Sequence, residues 1–162
     1  AIVKSLKEAC SIEKLGIKWP NDIYFGDKKL SGILLENQLH FDKQSVVIGV
    51  GVNYALGDNL DCETPWTDLT TISENVSNIK ELTAAIINSI LVYIKRFEKT
   101  GFDSFQQEWA AHDILKGRRA KVERENNPFD GEVMGVNNKG ALLISSKNGV
   151  ETVYSSEHIR YI

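Results

Sequence analysis

Cysteine is scarce: Cys10 and Cys62 are the only two in 162 residues. They lie far apart and outside any Cys-x-x-Cys or Cys/His spacing, so the chain offers neither a disulfide framework nor a zinc site. A reduced, cytoplasmic chain is the default reading. Long hydrophobic runs are missing as well. No stretch approaches the ~20 apolar residues that span a bilayer, and the N-terminus lacks signal-peptide architecture. There is no basic surplus, with 19 Lys+Arg against 22 Asp+Glu, so the whole chain is not drawn to nucleic acid or anionic membrane. Residues 1–111 hold 11 basic against 15 acidic side chains, and residues 112–162 hold 8 against 7. An initiating methionine is absent too. The chain opens at Ala1 directly in helical periodicity, which reads as a piece of a longer protein.

What is present is globular: 42% hydrophobic and 25% charged residues, the balance of a chain that buries a core. Ile2, Val3, Leu6, Ala9 and Cys10 recur at helical spacing, which predicts an amphipathic helix over residues 2–15 stopped by Gly16. Short β-branched and aromatic runs follow at 17–19, 23–25, 30–35 and 45–52, with hairpins expected at Gly26-Asp27 and Asp42-Lys43-Gln44. The run SVVIGVGVN is apolar on both faces and predicts a buried central strand. Residues 54–70 are polar and aperiodic, a long surface loop. Asn78 with Glu81 three residues on opens a helix whose apolar stripe runs from Ile79 through Leu82, Ile86, Ile87, Ile90, Leu91 and Ile94 to Phe97. A shorter helix after Gly101 packs Phe102, Phe105 and Trp109. Beyond Ala111 the texture changes to alternating strands near 119–123, 131–136, 141–145 and 150–154. Turn signals lie at Asn126-Asn127-Pro128 and Asn137-Asn138-Lys139-Gly140, and Asn148-Gly149 gives a type I′ hairpin signal. A small barrel-like β domain is the expectation.

Three blocks can carry chemistry. In KWPND, Pro20 forces Trp19 extended and presents Asn21 and Asp22 at a strand end, where α/β sheets commonly bind ligands. The same residues also make a sound turn. In KKLSG, Lys29 lies just ahead of Gly32, a glycine inside a strand that lets a backbone or ligand approach closely. Taken alone, paired lysines in a turn are better explained as solvated charges. In VIGVGVN, Gly49 and Gly51 fall on one face because the side-chain period is two, and they clear a strip of sheet surface. A helix or aromatic ring packed on the strip would explain them too, and no helix follows to make it a phosphate loop.

Taken in order and at hairpin spacing, KWPND, KLSGILLE and VIGVGVN resemble the catalytic domain of the biotin protein ligase family. The likeness continues through the long helix to FQQEWAAHDILKGRRAKV, GEVMGVNNKGALLISSKNGV and SSEHIRYI. The resemblance implies an α+β fold: a mixed/antiparallel sheet with packed helices, that is, a class II synthetase-like catalytic domain truncated at its N-terminus over residues 1–111. A small SH3-like β-barrel would follow over residues 112–162.

It also implies ATP-dependent formation of biotinyl-5′-AMP and transfer of biotin to a lysine of a biotin carboxyl carrier protein, with biotin, ATP and Mg2+ as ligands. By resemblance Lys29 sits beside the biotin carboxylate and the α-phosphate, and Gly32, Ile33 and Gly49 line the biotin pocket. Asn21, Asn53 and Gly51 contact the adenylate, Lys18 is a secondary phosphate-side contact, and Asp22 orients or deprotonates the acceptor lysine. Glu157 and Arg160 look like a terminal pair folding back towards the nucleotide. No metal cluster is suggested by side-chain spacing. The partners implied are a carboxylase carrier domain and a second copy of the chain, with no nucleic acid and no membrane. The family's GRGRxG loop is not in this sequence, whose only adjacent arginines are Arg118-Arg119. A catalytically inactive carrier-binding module and a lipoate or octanoyl transferase relative are the alternatives.

Overall fold

The computed structural model describes residues 1–40, 43–57, 62–123, 128–155 and 159–162. Packing divides the chain into two compact units, Ala1–Gly16 with Asn21–Leu91 and Ile17–Pro20 with Val92–Ile162. The boundary at 111/112 follows chain texture; compactness divides the chain inside a helix and places IKWP with the later residues. Hydrogen bonds explain that placement. Ile17 N–H donates to the His112 carbonyl (2.6 Å), Ile114 N–H to the Ile17 carbonyl (3.1 Å) and the Trp19 indole to the Gly140 carbonyl (3.0 Å).

In the first unit, helix α1 (Ile2–Cys10) turns Ile2, Val3, Leu6 and Cys10 inward. It stops short of Gly16. Ser11 is left-handed, φ 52°, and Ile12 and Leu15 are buried from an irregular segment that follows. The last carbonyls of α1 are satisfied from far along the chain: Ser73 Oγ donates to Cys10 and Ser77 Oγ to Ala9, both at 2.6 Å. Burial pushes the Cys10 thiol pKa up, so this cysteine behaves as a core residue.

Strand β1 (Gly16–Lys18) leads to the Trp19–Pro20 corner, whose peptide bond is cis. Strands β2 (Asp22–Phe25) and β3 (Lys28–His40) pair antiparallel around Gly26, whose φ of 61° suits glycine. Strand β4 (Lys43–Val52) pairs with β3 from Ser31↔Val52 to His40↔Lys43. Asp42 of the expected second hairpin lies outside the described residues, and Lys43 and Gln44 belong to the strand.

β4 is not the buried central strand that its apolar run suggests. β2 covers β3 only as far as Gly32, so beyond that point β3 and β4 continue as a ribbon with β4 at the sheet edge. Val46 is 56% and Val47 45% exposed.

The stretch 54–70 departs from a surface loop in its second half; residues 58–61 lie outside the described set. Trp66 bridges to Lys29, Thr67 and Asp68 are buried, and helix α2 (Leu69–Ile72) begins on Asp68 as N-cap. The Asp68 carboxylate accepts from Leu56 N–H (2.7 Å), Thr71 N–H (2.8 Å) and Thr70 Oγ1 (3.0 Å). Burial alone would raise its pKa, but these hydrogen bonds outweigh burial and bring it down to about 2.

Helix α3 (Ile79–Thr100) starts as its sequence predicts, with Asn78 Oδ1 accepting from the N–H groups of Lys80 and Glu81. Its apolar stripe is only partly covered. Leu82 and Ile86 are buried, while Ile79, Ile87, Leu91 and Phe97 are exposed among the described residues.

In the second unit a 3-10 turn (Asp103–Phe105) and helix α4 (Gln106–Ala110) pack their aromatics as expected. Phe105 stacks on Tyr93 at 5.5 Å, and Phe102 meets Trp109 edge-on at 6.2 Å. Arg96 lies over the Phe105 ring and pairs with Glu108.

Strands β5 (Arg119–Val122), β6 (Phe129–Val136), β7 (Leu142–Ser146), β8 (Gly149–Val153) and β9 (Ile159–Tyr161) form an antiparallel sheet ordered β8-β7-β6-β5-β9. Its core holds Trp19, Leu115, Val122, Val133, Leu142 and Ile144. The β7–β8 turn sits one residue earlier than Asn148-Gly149 implies, on Lys147-Asn148. Gly149 has φ 114° and Asn148 does not have positive φ, so the turn is not type I′. Asn126 and Asn127 of another expected turn lie outside the described residues. No helix of the described residues is long and apolar enough to cross a membrane.

Two substitutions test these packing claims. A methyl group on Gly131 would meet the Ser145 backbone carbonyl and, at 2.8 Å, Ile144 Cγ2. Gly131→Ala therefore costs about 1–3 kcal/mol, the range for overpacking, and an unchanged urea midpoint would contradict this packing. The Asp68 carboxyl, lowered from its ordinary 3.8 to about 2 on folding, contributes stability that is complete above about pH 4 and lost as pH falls towards 2. The contribution is about 2 kcal/mol. Stability curves of wild type and Asp68→Asn should differ in slope in that window; parallel curves would remove the carboxylate's role.

Candidate functional site

The glycines of the first unit meet across the strands. Register pairs Asp22 with Gly32 and Gly32 with Gly51, while Leu34 pairs with Gly49. Residues directly opposite one another share a sheet face, so Gly32, Gly49 and Gly51 together leave a floor without side chains, as the two-residue spacing predicts. An open cleft of about 490 Å³ stands on this floor, with Asn21, Asp22 and Lys29 at its polar end and Ile33, Leu34 and Val50 also lining it.

Lys29 should not face this cleft by simple alternation, since it lies an odd number of residues from Gly32. A β-bulge changes the count. Ile23 pairs with Ser31 but Tyr24 with Lys29, so Leu30 is the extra residue and is itself fully buried. Beyond the bulge, Lys29 shares a face with Asp22. The Lys29 ammonium reaches Asp22 Oδ1 at 2.7 Å, with side-chain exposures of 36% and 22%. The pair lies directly over Gly32, where a Cβ would stand 3.3 Å from both Asp22 Oδ1 and Lys29 Nζ. The site thus presents one cation and one carboxylate, partly open to solvent, above a bare floor.

The backbone beneath is held from both sides. Asn21 Nδ2 donates to the Ile33 carbonyl (2.6 Å) and Ile33 N–H to the Asn21 carbonyl (2.9 Å), which fastens the corner to β3. Lys29 N–H donates to the Pro65 carbonyl (2.8 Å), and Thr67 N–H donates to the Lys29 carbonyl (3.0 Å). Asn53 Nδ2 donates to the carbonyls of Lys29 (3.3 Å) and Thr67 (2.9 Å).

The cleft therefore brings together Asn21, Asp22, Lys29, Gly32, Ile33, Gly49 and Gly51. Asn53 does not line it; its amide is engaged in the clamp beneath Lys29. Lys18 belongs to the second unit, its ammonium 5.4 Å from the centre of the Tyr161 ring. Arg160, on β9, pairs with Glu123 at 3.5 Å. Glu157 lies outside the described residues. Among the described residues no three His, Cys, Asp or Glu side chains cluster as metal ligands.

Leu34, Val50 and the 65–69 segment are not among the residues singled out in the sequence. Leu34 was legible from the register that pairs it with Gly49. Asp68 is a favoured N-cap residue type, the one local sign of the 65–69 segment.

Residues 1–53 match the model of the Biotin/lipoate A/B protein ligase family. Over 162 residues the chain is 32% identical to the bifunctional ligase/repressor BirA of Bacillus subtilis (strain 168), covering 97% of this chain and 49% of that protein. The chain thus spans about half the length of this curated relative. Among solved structures, the biotin protein ligase of Aquifex aeolicus superposes with a TM-score of 0.83 at 26% identity, covering 99% of this chain and 70% of that one. The same ligase in complex with biotin and ATP gives a TM-score of 0.81 at 27% identity, covering 99% and 68%. The residues lining the glycine-floored cleft, Asn21 to Gly51, all fall within residues 1–53, the stretch that matches the Biotin/lipoate A/B protein ligase family model.

Proposed function

We propose that the protein containing this chain is a biotin protein ligase that forms biotinyl-5′-AMP from biotin and ATP, then passes biotin to a lysine of a biotin carboxyl carrier protein. The observation that carries this reading is the Lys29–Asp22 pair, 2.7 Å apart over Gly32. A bicyclic ligand laid against a sheet needs a floor without side chains, and its carboxylate needs a cation at one end. Both requirements meet in the cleft.

In the first step a biotin carboxylate oxygen bonds to the α-phosphorus as pyrophosphate leaves with the electron pair. The Lys29 ammonium, a compact donor on a flexible stem, turns from Asp22 to the developing negative charge. In the second step the acceptor amine attacks the acyl carbon and AMP departs. Asp22, released by Lys29, orients that amine and accepts its proton. Magnesium, where it takes part, would be held mainly by the nucleotide phosphate oxygens and would neutralise their charge.

Gly32, Ile33 and Gly49 line the biotin end in this reading, with Gly51 and Asn21 towards the adenylate. Asn53 acts mainly from below, through the Lys29 backbone. Lys18, Glu157 and Arg160 remain proposed nucleotide-side contacts on the family likeness alone. The fold-level counterpart is a class II synthetase-like catalytic domain and a small SH3-like barrel over 112–162, supported by the five-stranded antiparallel sheet. A cytoplasmic location is supported by Cys10 and Cys62 both being free. Self-association is supported by the exposed Leu39 and Val46 of the β3–β4 ribbon.

The test is label transfer in the full natural protein, with ATP, radiolabelled biotin and an apo carrier domain. Lys29→Ala lowers the rate of pyrophosphate release at least 10²-fold, the loss typical of removing one charge-stabilising donor, with the fold intact by circular dichroism. Wild-type rates in that variant would overturn the role of Lys29. Asp22→Asn leaves adenylate formation largely in place but slows transfer from pre-formed biotinyl-5′-AMP by about 10²-fold or more. Equal loss in both steps would place Asp22 in adenylation instead.

A further inference from the structure

We propose that Asp68 is a positioning residue for Lys29, acting through the strap formed by Pro65 to Leu69. The proposal rests on Lys29 serving as the adenylation cation; lysine labelling reads the position of Lys29 without biotin chemistry, and pyrophosphate release reads that role separately.

The strap is needed because β4 stops before Lys29, which keeps a partner only on its β2 side, Tyr24. β4 pairs with β3 only as far as Ser31↔Val52, and the bulge leaves Leu30 without a partner in the β2 register. Both backbone groups of Lys29 are taken up by the strap instead: its N–H donates to Pro65 and its carbonyl accepts from Thr67. The strap is a third rung that continues the sheet where β4 stops. Its far side is fastened to the end of β4, with Leu69 N–H donating to the Asn53 carbonyl (3.0 Å) and Thr70 N–H to the Tyr54 carbonyl (3.2 Å).

Asp68 closes this arrangement. It is 2% exposed and follows Thr67, the residue bonded to the Lys29 carbonyl. One carboxylate oxygen accepts from Leu56 N–H, beyond the end of β4; the other accepts from Thr71 N–H and Thr70 Oγ1 at the start of α2. Removing the carboxylate leaves backbone donors on both sides of the strap without their acceptor, in a setting where an unmet donor is costly. The strap is then free to shift, and Lys29 shifts with it. A misplacement of about 1 Å suffices to cost on the order of 10²-fold in rate.

Trace acylation of lysines in the full natural protein, read by peptide mass spectrometry, follows Lys29 against its neighbour Lys28. In wild type the Asp22 contact protects Lys29. In Asp68→Ala the Lys29:Lys28 labelling ratio rises severalfold, Asp68→Asn, which retains one acceptor oxygen, restores part of the protection, and the rate of pyrophosphate release falls more than the biotin KM rises. A general structural loss would raise labelling at Lys28 and Lys18 equally and leave the ratio unchanged, which overturns the proposal. If Asp68→Ala does not fold, Thr70→Val removes only the hydroxyl bond to Asp68, and an unchanged ratio in both Thr70→Val and Asp68→Asn overturns it as well. A raised ratio with undiminished pyrophosphate release supports the positioning and overturns instead the assignment of Lys29 to adenylation.

Discussion

Everything at the cleft depends on a single-residue slip in strand pairing. With regular alternation between β2 and β3, Lys29 and Gly32 would point to opposite faces, and the ammonium would lie against the layer that buries Leu30. The bulge at Leu30 reverses the side-chain sense for one step. As a result Leu30 enters the core, where it is fully buried, while Lys29 emerges beside Asp22. Core and site are satisfied by the same irregularity, so the position of the cation is tied to packing that the fold needs in any case.

The glycines complete what the bulge begins. Gly32 faces Gly51 across the β3–β4 pair, and Gly49 faces Leu34. Any side chain at Gly32 would reach the ends of Lys29 and Asp22 at 3.3 Å, whereas one at Gly51 would come no nearer than the Gly32 carbonyl at 3.8 Å. A Cβ at Gly32 would thus crowd the ion pair and make its ends give by a few tenths of an ångström, whereas Gly49 and Gly51 have ordinary clearance and serve mainly to keep the floor bare. A strand with so many glycines loses packing energy and entropy, which the surrounding hydrogen bonds of Asn21, Ser31 and Asn53 offset.

Much of this was legible in the sequence because it follows from local periodicity. The two-residue spacing of Gly49 and Gly51 specified a shared face, Gly26 announced its hairpin, and Asn78 with Glu81 announced the start of α3. The parts that were not legible depend on partners distant in the chain. The end of α1 at Cys10 depends on Ser11 and on serines more than sixty residues away. The exposure of β4 depends on how short β2 is, which no property of SVVIGVGVN reveals. The strap lies in a stretch with no periodicity at all, and only Asp68, a favoured N-cap residue type, marks it. The Lys29 side was hidden because a bulge leaves no compositional sign when its extra residue is a leucine.

The division of labour within Lys29 gives these observations their chemical sense. Its backbone N–H and carbonyl are both committed to the strap, so its Cα has little freedom, while four rotatable bonds separate that anchor from the ammonium. On the proposed adenylation chemistry this cation leaves Asp22 for a developing phosphate charge, and it has to do so without disturbing the floor beneath it. A fixed Cα and a flexible stem allow that motion to be made by side-chain torsions alone, which cost little in a group already one-third exposed. An arginine could not make the exchange in the same way, since its planar fork holds a carboxylate in fixed geometry. The choice of lysine at the end of a bulge, strapped from below and paired from above by one partly exposed carboxylate, suits a transferable charge.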